Sequence, residues 1–448
     1  MAVGSAPATK SPGSAASPAS AAPPCSSYSP WLTIVGIGED GPAGLGAAAK
    51  AAISSARHVF GGIRHLALAG DLIRGTGHRW PSPFDKGMAA VVSRRGETVC
   101  VLASGDPFWH GVGTTLSRLV SASEMRVFPA PSSFSLAAAR LAWPLPEVSC
   151  LSLHDRGVEI LRRHLQPGRR MIALTAGAKG PEEVARFLQQ QGFGASQVTV
   201  LEAIGGPKER ISQHIADDLA ARSGCGSTAS SASTASADLT NWHPLNVLAI
   251  KVAAADRSAR VVPLSSGMPD NWFAHDGQIS KRDIRALTIS ALRPHHGDLL
   301  WDIGAGSGAV AIEWMLAHPS LRAITIEANP ARAAQIAANA RNFGLPALQV
   351  VESRAPQALH DLAPPDAIFI GGGGTGEGMM QAAMEALGPG GRLVANAVTL
   401  EMESLLAGLS ARHGGRLMRI DLSEAAPLGA FRTWRPALPI TQWSWCKP

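Results

Sequence analysis

Three glycines at alternating positions, Gly304, Gly306 and Gly308, directly follow the apolar run Leu299-Leu300-Trp301-Asp302-Ile303. Glycine removes Cβ where backbone must approach a ligand closely, and it permits positive φ in a tight turn. A stretch of good helical propensity, 309 to 317, comes next. The following apolar run, Ala323-Ile324-Thr325-Ile326, ends in Glu327, 25 residues after Asp302. A carboxylate near that offset, at the tip of the second strand, can grip a ribose diol. Together these pieces read as a nucleoside-binding turn. Its spacing is G-x-G-x-G, whereas a dinucleotide fingerprint is G-x-G-x-x-G. Plainer roles compete: Asp302 as a turn-capping carboxylate, and Glu327 as a solvated residue ahead of Asn329-Pro330.

Other chemistry-bearing groups are fewer. Gly105-Asp106-Pro107 is a strand-to-turn break whose exposed amides and carbonyls could hold a nucleoside or amino-acid moiety, although the same tripeptide makes ordinary turns. His275 and Asp276 precede the glycine turn and are candidate proton carriers. His154 and Asp155 form a similar pair, but a histidine at a strand end more commonly serves structure. The five cysteines lie far apart, with no CxxC pair and no metal-ligand spacing with histidines. No metal site is expected, and a reducing, cytoplasmic setting is.

These groups need strands and helices to hold them. Apolar strands begin at Leu32-Thr33-Ile34-Val35 and recur at 99–103, 171–174 and 198–201, with helical periodicity between them. A helix is expected over 181–191, opened by Pro181 and stopped by Gly192. The Ser/Thr-rich stretch 224–237 cannot bury enough apolar surface to order itself. Because another strand follows at 245–250, that stretch reads as a loop insertion inside the first domain. The expected division is a disordered Ala/Ser/Pro-rich tail (1–30), a first domain (31–252), a linker (253–263) and a second α/β domain (264–448).

Composition narrows the partners. With 448 residues and 46% hydrophobic content, two or three domains can each bury a core. No apolar run approaches the roughly 18 residues of a membrane span. The first 30 residues have one basic residue and no apolar core, unlike a signal peptide. The net charge of +6 comes mostly from arginine, which suits an acidic ligand but also accompanies an Ala/Gly/Pro/Arg-rich composition in general. No dense Lys/Arg run interleaved with aromatics points to nucleic acid.

The turn at 302–308, preceded by Asp302, resembles motif I of the S-adenosylmethionine methyltransferases. Gly267-Met268-Pro269-Asp270 and the segment His275 to Arg285 are similar to the decarboxylating precorrin methyltransferases of cobalamin biosynthesis. So are Glu352-Ser353-Arg354-Ala355-Pro356 and the run Pro365 to Gly374. This resemblance covers 264–448. It implies a Rossmann-like doubly wound sheet, with cofactor contacts from Ser280, Gly304, Ala305, Gly306, Ser307, Gly308, Glu327 and Ala355. Arg282 and Arg285, beside that wall, are expected to hold substrate carboxylates.

Residues 31–252 resemble a different fold, the two-lobed tetrapyrrole methylases. The resemblance rests on Val35 to Gly41, on Ala103 to Gly113 and on Pro129 to Ala137; Val148 to Arg156 narrows it to the branch acting on a late precorrin. Glu39-Asp40-Gly41 stands where relatives often have Pro-Gly-Asp. The resemblance implies cofactor contacts at Gly105, Asp106, Pro107, Ser132 and Ser133. Both halves together resemble fused precorrin methyltransferases. That implies one S-adenosylmethionine per domain and a polycarboxylate tetrapyrrole substrate, precorrin-6B. Carbons 5 and 15 would be methylated and the ring C acetate lost, giving precorrin-8. A homo-oligomer is expected, with no nucleic-acid or membrane partner. Two other readings stand beside this one: a single active domain with the other only binding the intermediate, and an RNA methyltransferase.

Overall fold

A computed structural model describes residues 30–154, 156–222, 241–257 and 259–448. The expected tail, the insertion at 224–237 and Asp155 lie outside the described residues. The chain divides into two compact units. One runs to Ile37 and then over Gly41–Ala130; the other holds Gly38–Asp40 and Pro131–Pro448.

The first unit is a parallel five-stranded sheet. Its strands are β1 (Leu32–Ile37), β2 (His58–Gly61), β3 (Thr76–Arg79), β4 (Val99–Ser104) and β5 (Met125–Phe128), in the order β3-β2-β4-β1-β5. β1 and β4 are almost wholly buried. Continuous Val/Ile/Leu runs are what a parallel sheet covered on both faces requires.

The second unit contains two large sheets and a separate two-stranded hairpin. The earlier one comprises β6 (Val148–Ser152), β7 (Arg170–Leu174), β8 (Gln197–Glu202), β9 (Arg210–Ile215) and β10 (Asn246–Lys251), ordered β6-β7-β10-β8-β9. The strand expected after the Ser/Thr-rich stretch thus sits between β7 and β8, antiparallel to both. The expected helix is present as Gly180–Gln190, with proline at its first turn. The 253–263 segment is packed rather than free: Ala254, Ala259 and Val261 lie on this sheet's core, and Val262 joins the core of the next.

The last sheet is built from β11 (Leu299–Ile303), β12 (Arg322–Glu327), β13 (Gln349–Glu352), β14 (Ala367–Ile370), β15 (Arg392–Ala397), β16 (Arg416–Ile420) and β19 (Ile440–Cys446). A hairpin of β17 (Ser423–Leu428) and β18 (Phe431–Pro436) is inserted before β19. The order is β13-β12-β11-β14-β15-β19-β16, parallel as far as β15, with β19 antiparallel to both its neighbours. This is the expected doubly wound sheet. Its strand order reverses between β11 and β14, and ligands of such sheets bind outside the carboxyl ends at that switch point. The apolar helix Ala309–Ala317 is buried along its first seven residues, against β11 and β12. Among the described residues, no helix is long and apolar enough to cross a membrane.

Candidate functional site

At the carboxyl tips of β11 and β14 lies a cavity of about 830 Å³. The glycine turn forms its floor. Gly304, Gly306 and Gly308 all have positive φ, at 65°, 59° and 72°. A Cβ on Gly304 would stand 2.6 Å from the Gly372 carbonyl oxygen, and one on Gly308 would stand 2.7 Å from Ile336 Cγ2. The turn therefore has a conformational and a steric need for glycine. The second glycine loop, Gly371 to Gly373, borders the cavity beside it.

Glu327 is 6% exposed and lines the same cavity. One carboxylate oxygen accepts from the Gly306 amide at 2.9 Å and the other from the Asn329 amide at 2.9 Å. A carboxylate has about four lone-pair positions, so two remain for ligand hydroxyls. It is not the solvated residue of the plainer reading. Asp302 has the capping role: its Oδ2 accepts from the Ala311 amide at 3.0 Å, while its Oδ1 is buried without a partner. Burial pushes its carboxyl up to about 7.

Ser280, Ala305, Ser307 and Ala355 also line the cavity. The structure thus gathers seven of the eight expected cofactor residues of this half around one space, although they span 76 positions of sequence; Gly308 does not line it and instead packs against Ile336. Also there are Gln278, Lys281, Arg332, Arg354 and Asn396, which sequence reasoning did not single out. Lys281 and Arg354 carried a signal, being cations inside the segments already singled out. Asn396, held by Thr288 and Gln442, carried none.

The expected substrate arginines need correction. Arg285 is fully buried. Its Nε donates to Glu313 at 2.8 Å and its Nη1 to Asp270 at 2.7 Å, with further donation to the Ser280 and Met268 carbonyls. Glu313 in turn accepts from the Gly267 and Met268 amides at 2.7 and 3.0 Å. Arg285 therefore pins the segment carrying Ser280 onto the helix Ala309–Ala317, and its fork is not free for substrate. Arg282 is exposed and does not border the cavity; its neighbour Lys281 does.

The expected proton carriers lie on the rim. Neither His275 nor Asp276 lines the cavity, whereas Gly277 and Gln278 do. His275 Nδ1 accepts from the Gly277 amide at 3.0 Å. Asp276 is tied to Arg332 at 2.7–2.8 Å, and the hydrogen bond from Arg332 holds its carboxyl below the usual range. Asp276 is thus engaged with Arg332 rather than presented to the cavity.

In the first unit, Gly105 follows the tip of β4 with φ of 54°. Its carbonyl accepts from the Ala130 amide at 3.2 Å, and a Cβ on Gly36 would come within 1.9 Å of that oxygen. Asp106 accepts from the Phe108 amide at 2.8 Å, and Pro107 from the Gly113 amide at 3.0 Å, closing a tight turn. Ser104, just before it, is exposed and bonded to His65 at 2.7 Å and Arg64 at 2.8 Å. Burial, with Arg64 nearby, lowers His65 to about 4. In the second unit, Ser132 caps the helix Ser133–Leu141, its hydroxyl accepting from the Ser135 amide. Among the described residues, no group of three His, Cys, Asp or Glu could hold a metal.

The last sheet, its glycine turn and the acid at its second strand define a Rossmann-like methyltransferase domain, joined to a second, unlike module. A model described as "Precorrin methyltransferase domain" matches residues 271–447, and one described as "Tetrapyrrole (Corrin/Porphyrin) Methylases" matches 31–220. A precorrin-6Y C(5,15)-methyltransferase [decarboxylating] from a Sinorhizobium species is 54% identical over 94% of this chain and 97% of its own. One from Mycobacterium tuberculosis is 38% identical over 92% of this chain and 99% of its own. The crystal structure of the C-terminal domain of precorrin-6Y C5,15-methyltransferase from Rhodobacter capsulatus is 51% identical. It covers 42% of this chain and all of that one, with a TM-score of 0.40. The chain belongs to the family of decarboxylating precorrin-6Y C(5,15)-methyltransferases.

Proposed function

We propose that this chain methylates precorrin-6B at carbons 5 and 15 and removes the ring C acetate as carbon dioxide, giving precorrin-8. Residues 264–448 act on carbon 15 and decarboxylate; residues 31–252 act on carbon 5. Each domain takes one S-adenosylmethionine. The observation that carries the reading is the Gly304–Gly308 turn facing Glu327 across the floor of an 830 Å³ cavity. That space is within the range of small-molecule sites.

S-Adenosylmethionine, when bound, supplies an electrophilic methyl group on a sulfonium. The rest is work for the chain's own groups. The turn lets backbone approach the ligand, and the free lone pairs of Glu327 accept ribose hydroxyls. Ser280 and Ala355 flank the ligand, and Gly105, Asp106, Pro107, Ser132 and Ser133 serve the first domain. Methyl transfer to an electron-rich meso carbon needs alignment and exclusion of water more than covalent help. Ile303, Phe369 and Ile440 give the cavity apolar walls. Lys281 and Arg354, in place of Arg282 and Arg285, meet peripheral carboxylates. The departing acetate must stay unpaired, because stabilising its charge would raise the barrier to carbon dioxide loss; the conjugated macrocycle takes the electrons.

The reading includes self-association. Among the described residues, the β17–β18 hairpin pairs with no other strand, and its Leu428, Phe431 and Trp434 are 63%, 80% and 72% exposed. An isolated two-stranded hairpin is marginal in water, and a second copy would cover these side chains. The free Cys100, Cys150 and Cys446 support a reducing, cytoplasmic setting.

Mass spectrometry with methyl-labelled cofactor and precorrin-6B tests the reading. The intact chain should add two labelled methyls and release one carbon dioxide. Gly304→Val should release none and add at most one. Two methyls with carbon dioxide loss from that variant would refute the assignment.

A further inference from the structure

Within the second unit, sharing no lining residue with the cavity at the glycine turn, is a cavity of about 460 Å³ where the domain carrying β6–β10 meets the domain carrying β11–β19. It is lined by Arg162, Arg260, Gln190, Asn342, Trp272 and Phe343, among others. No Asp or Glu is among the described residues that line it. Arg162, on the short helical segment Val158–His164, is only 3% exposed, and its buried Nη1 has no hydrogen-bond partner. Burial, and Arg260 after it, lowers the Arg162 guanidinium to about 10.

An unpaired buried cation is costly, by several kcal/mol per ion even after relaxation. Two helices, Gly180–Gln190 and Pro330–Asn342, end at the cavity. Their carboxyl ends carry roughly half a negative charge each. Together they offset about one of the two arginines, leaving a net charge near +1 facing polar amides and the edge of Trp272. The half-buried Trp272 borders that charge, and Phe343, 2% exposed, belongs to the core behind it.

We propose that this cavity binds an oxyanion, a phosphate or carboxylate borne on a small apolar or aromatic body, with Arg162 and Arg260 as its ligands. Guanidinium groups hold such oxyanions bidentately, and Trp272 borders the space left for the body. The site lies at the seam between the two domains, so occupancy would stabilise their packing. The anion is either a free small molecule or an acidic arm of a tetrapyrrole.

The test uses the intact chain at fixed ionic strength. Phenyl phosphate, inorganic phosphate and uroporphyrin III are titrated calorimetrically into wild-type, Arg162→Met and Arg260→Gln proteins, with sodium chloride as the control. Wild type should bind one phenyl phosphate, more tightly than inorganic phosphate. Both variants should bind it about tenfold or more weakly, the size of a lost charged hydrogen bond. Without anion, Arg162→Met should be at least as stable as wild type, since the unpaired charge is gone. If uroporphyrin III alone binds, and both variants weaken it, the oxyanion site stands and its source is the tetrapyrrole. Heats that sodium chloride reproduces, or wild-type affinity in both variants, overturn the proposal. Should Arg162→Met not fold, Arg260→Gln at the exposed rim decides by the same criteria. S-Adenosylhomocysteine binding should be unchanged in both variants, which separates this site from the methyl-transfer reading.

Discussion

Asp302→Asn isolates the cost of burying a carboxyl beneath the glycine turn. Asp302 is 1% exposed, and one oxygen has no partner. Burial raises its pKa from 3.8 to about 7, and Glu327 adds to the rise, while the Ala311 amide opposes it. The folded state therefore holds the proton that the unfolded chain releases near pH 4. A raised carboxyl contributes its full stability below the unfolded value, and that contribution is lost as pH rises through the folded one. Each factor of ten is worth about 1.4 kcal/mol, so the ceiling on the loss between pH 4 and pH 8 is about 4 kcal/mol. Asparagine keeps an oxygen for the Ala311 amide and cannot ionise. The melting temperature of Asp302→Asn relative to wild type should therefore climb with pH, by about 5 °C or more from pH 4.5 to 8. Thermal unfolding followed by circular dichroism across that range is the assay. A difference that stays flat, or falls with rising pH, would refute the reasoning.

Three further outcomes follow from the same geometry. Arg285→Met should destabilise the chain by about 3–5 kcal/mol, since Glu313 is left as an unpaired buried charge; Arg285→Met with Glu313→Gln should recover part of it in denaturant unfolding. Gly304→Ala should weaken S-adenosylhomocysteine binding at least about tenfold by calorimetry, because positive φ costs a non-glycine residue about 1–2 kcal/mol before the clash with Gly372 is counted. Trp434→Ser should lower the sedimentation coefficient if the hairpin joins copies of the chain; an unchanged assembly would remove the hairpin from that role.

The glycine turn was legible because its parts are local. An apolar run, three glycines, a helix and an acid are consecutive in the chain, and each follows from backbone conformational preference and strand or helix periodicity. The strand at 246–251 was legible for the same reason, and it lies between β7 and β8.

What the tertiary structure decided is where each charge ends. Arg285 looks like any arginine near a cofactor wall until helix packing brings Glu313, 28 residues on, and Asp270 to its fork. Asp276 looks like an acid until Arg332, 56 residues away, takes it. Arg162 Nη1 is left without a partner among the described residues where two domains close over it. Local sequence sets conformation through short-range sterics. Whether a charge is free, paired or stranded depends on burial and on partners far along the chain, which only the assembled fold supplies.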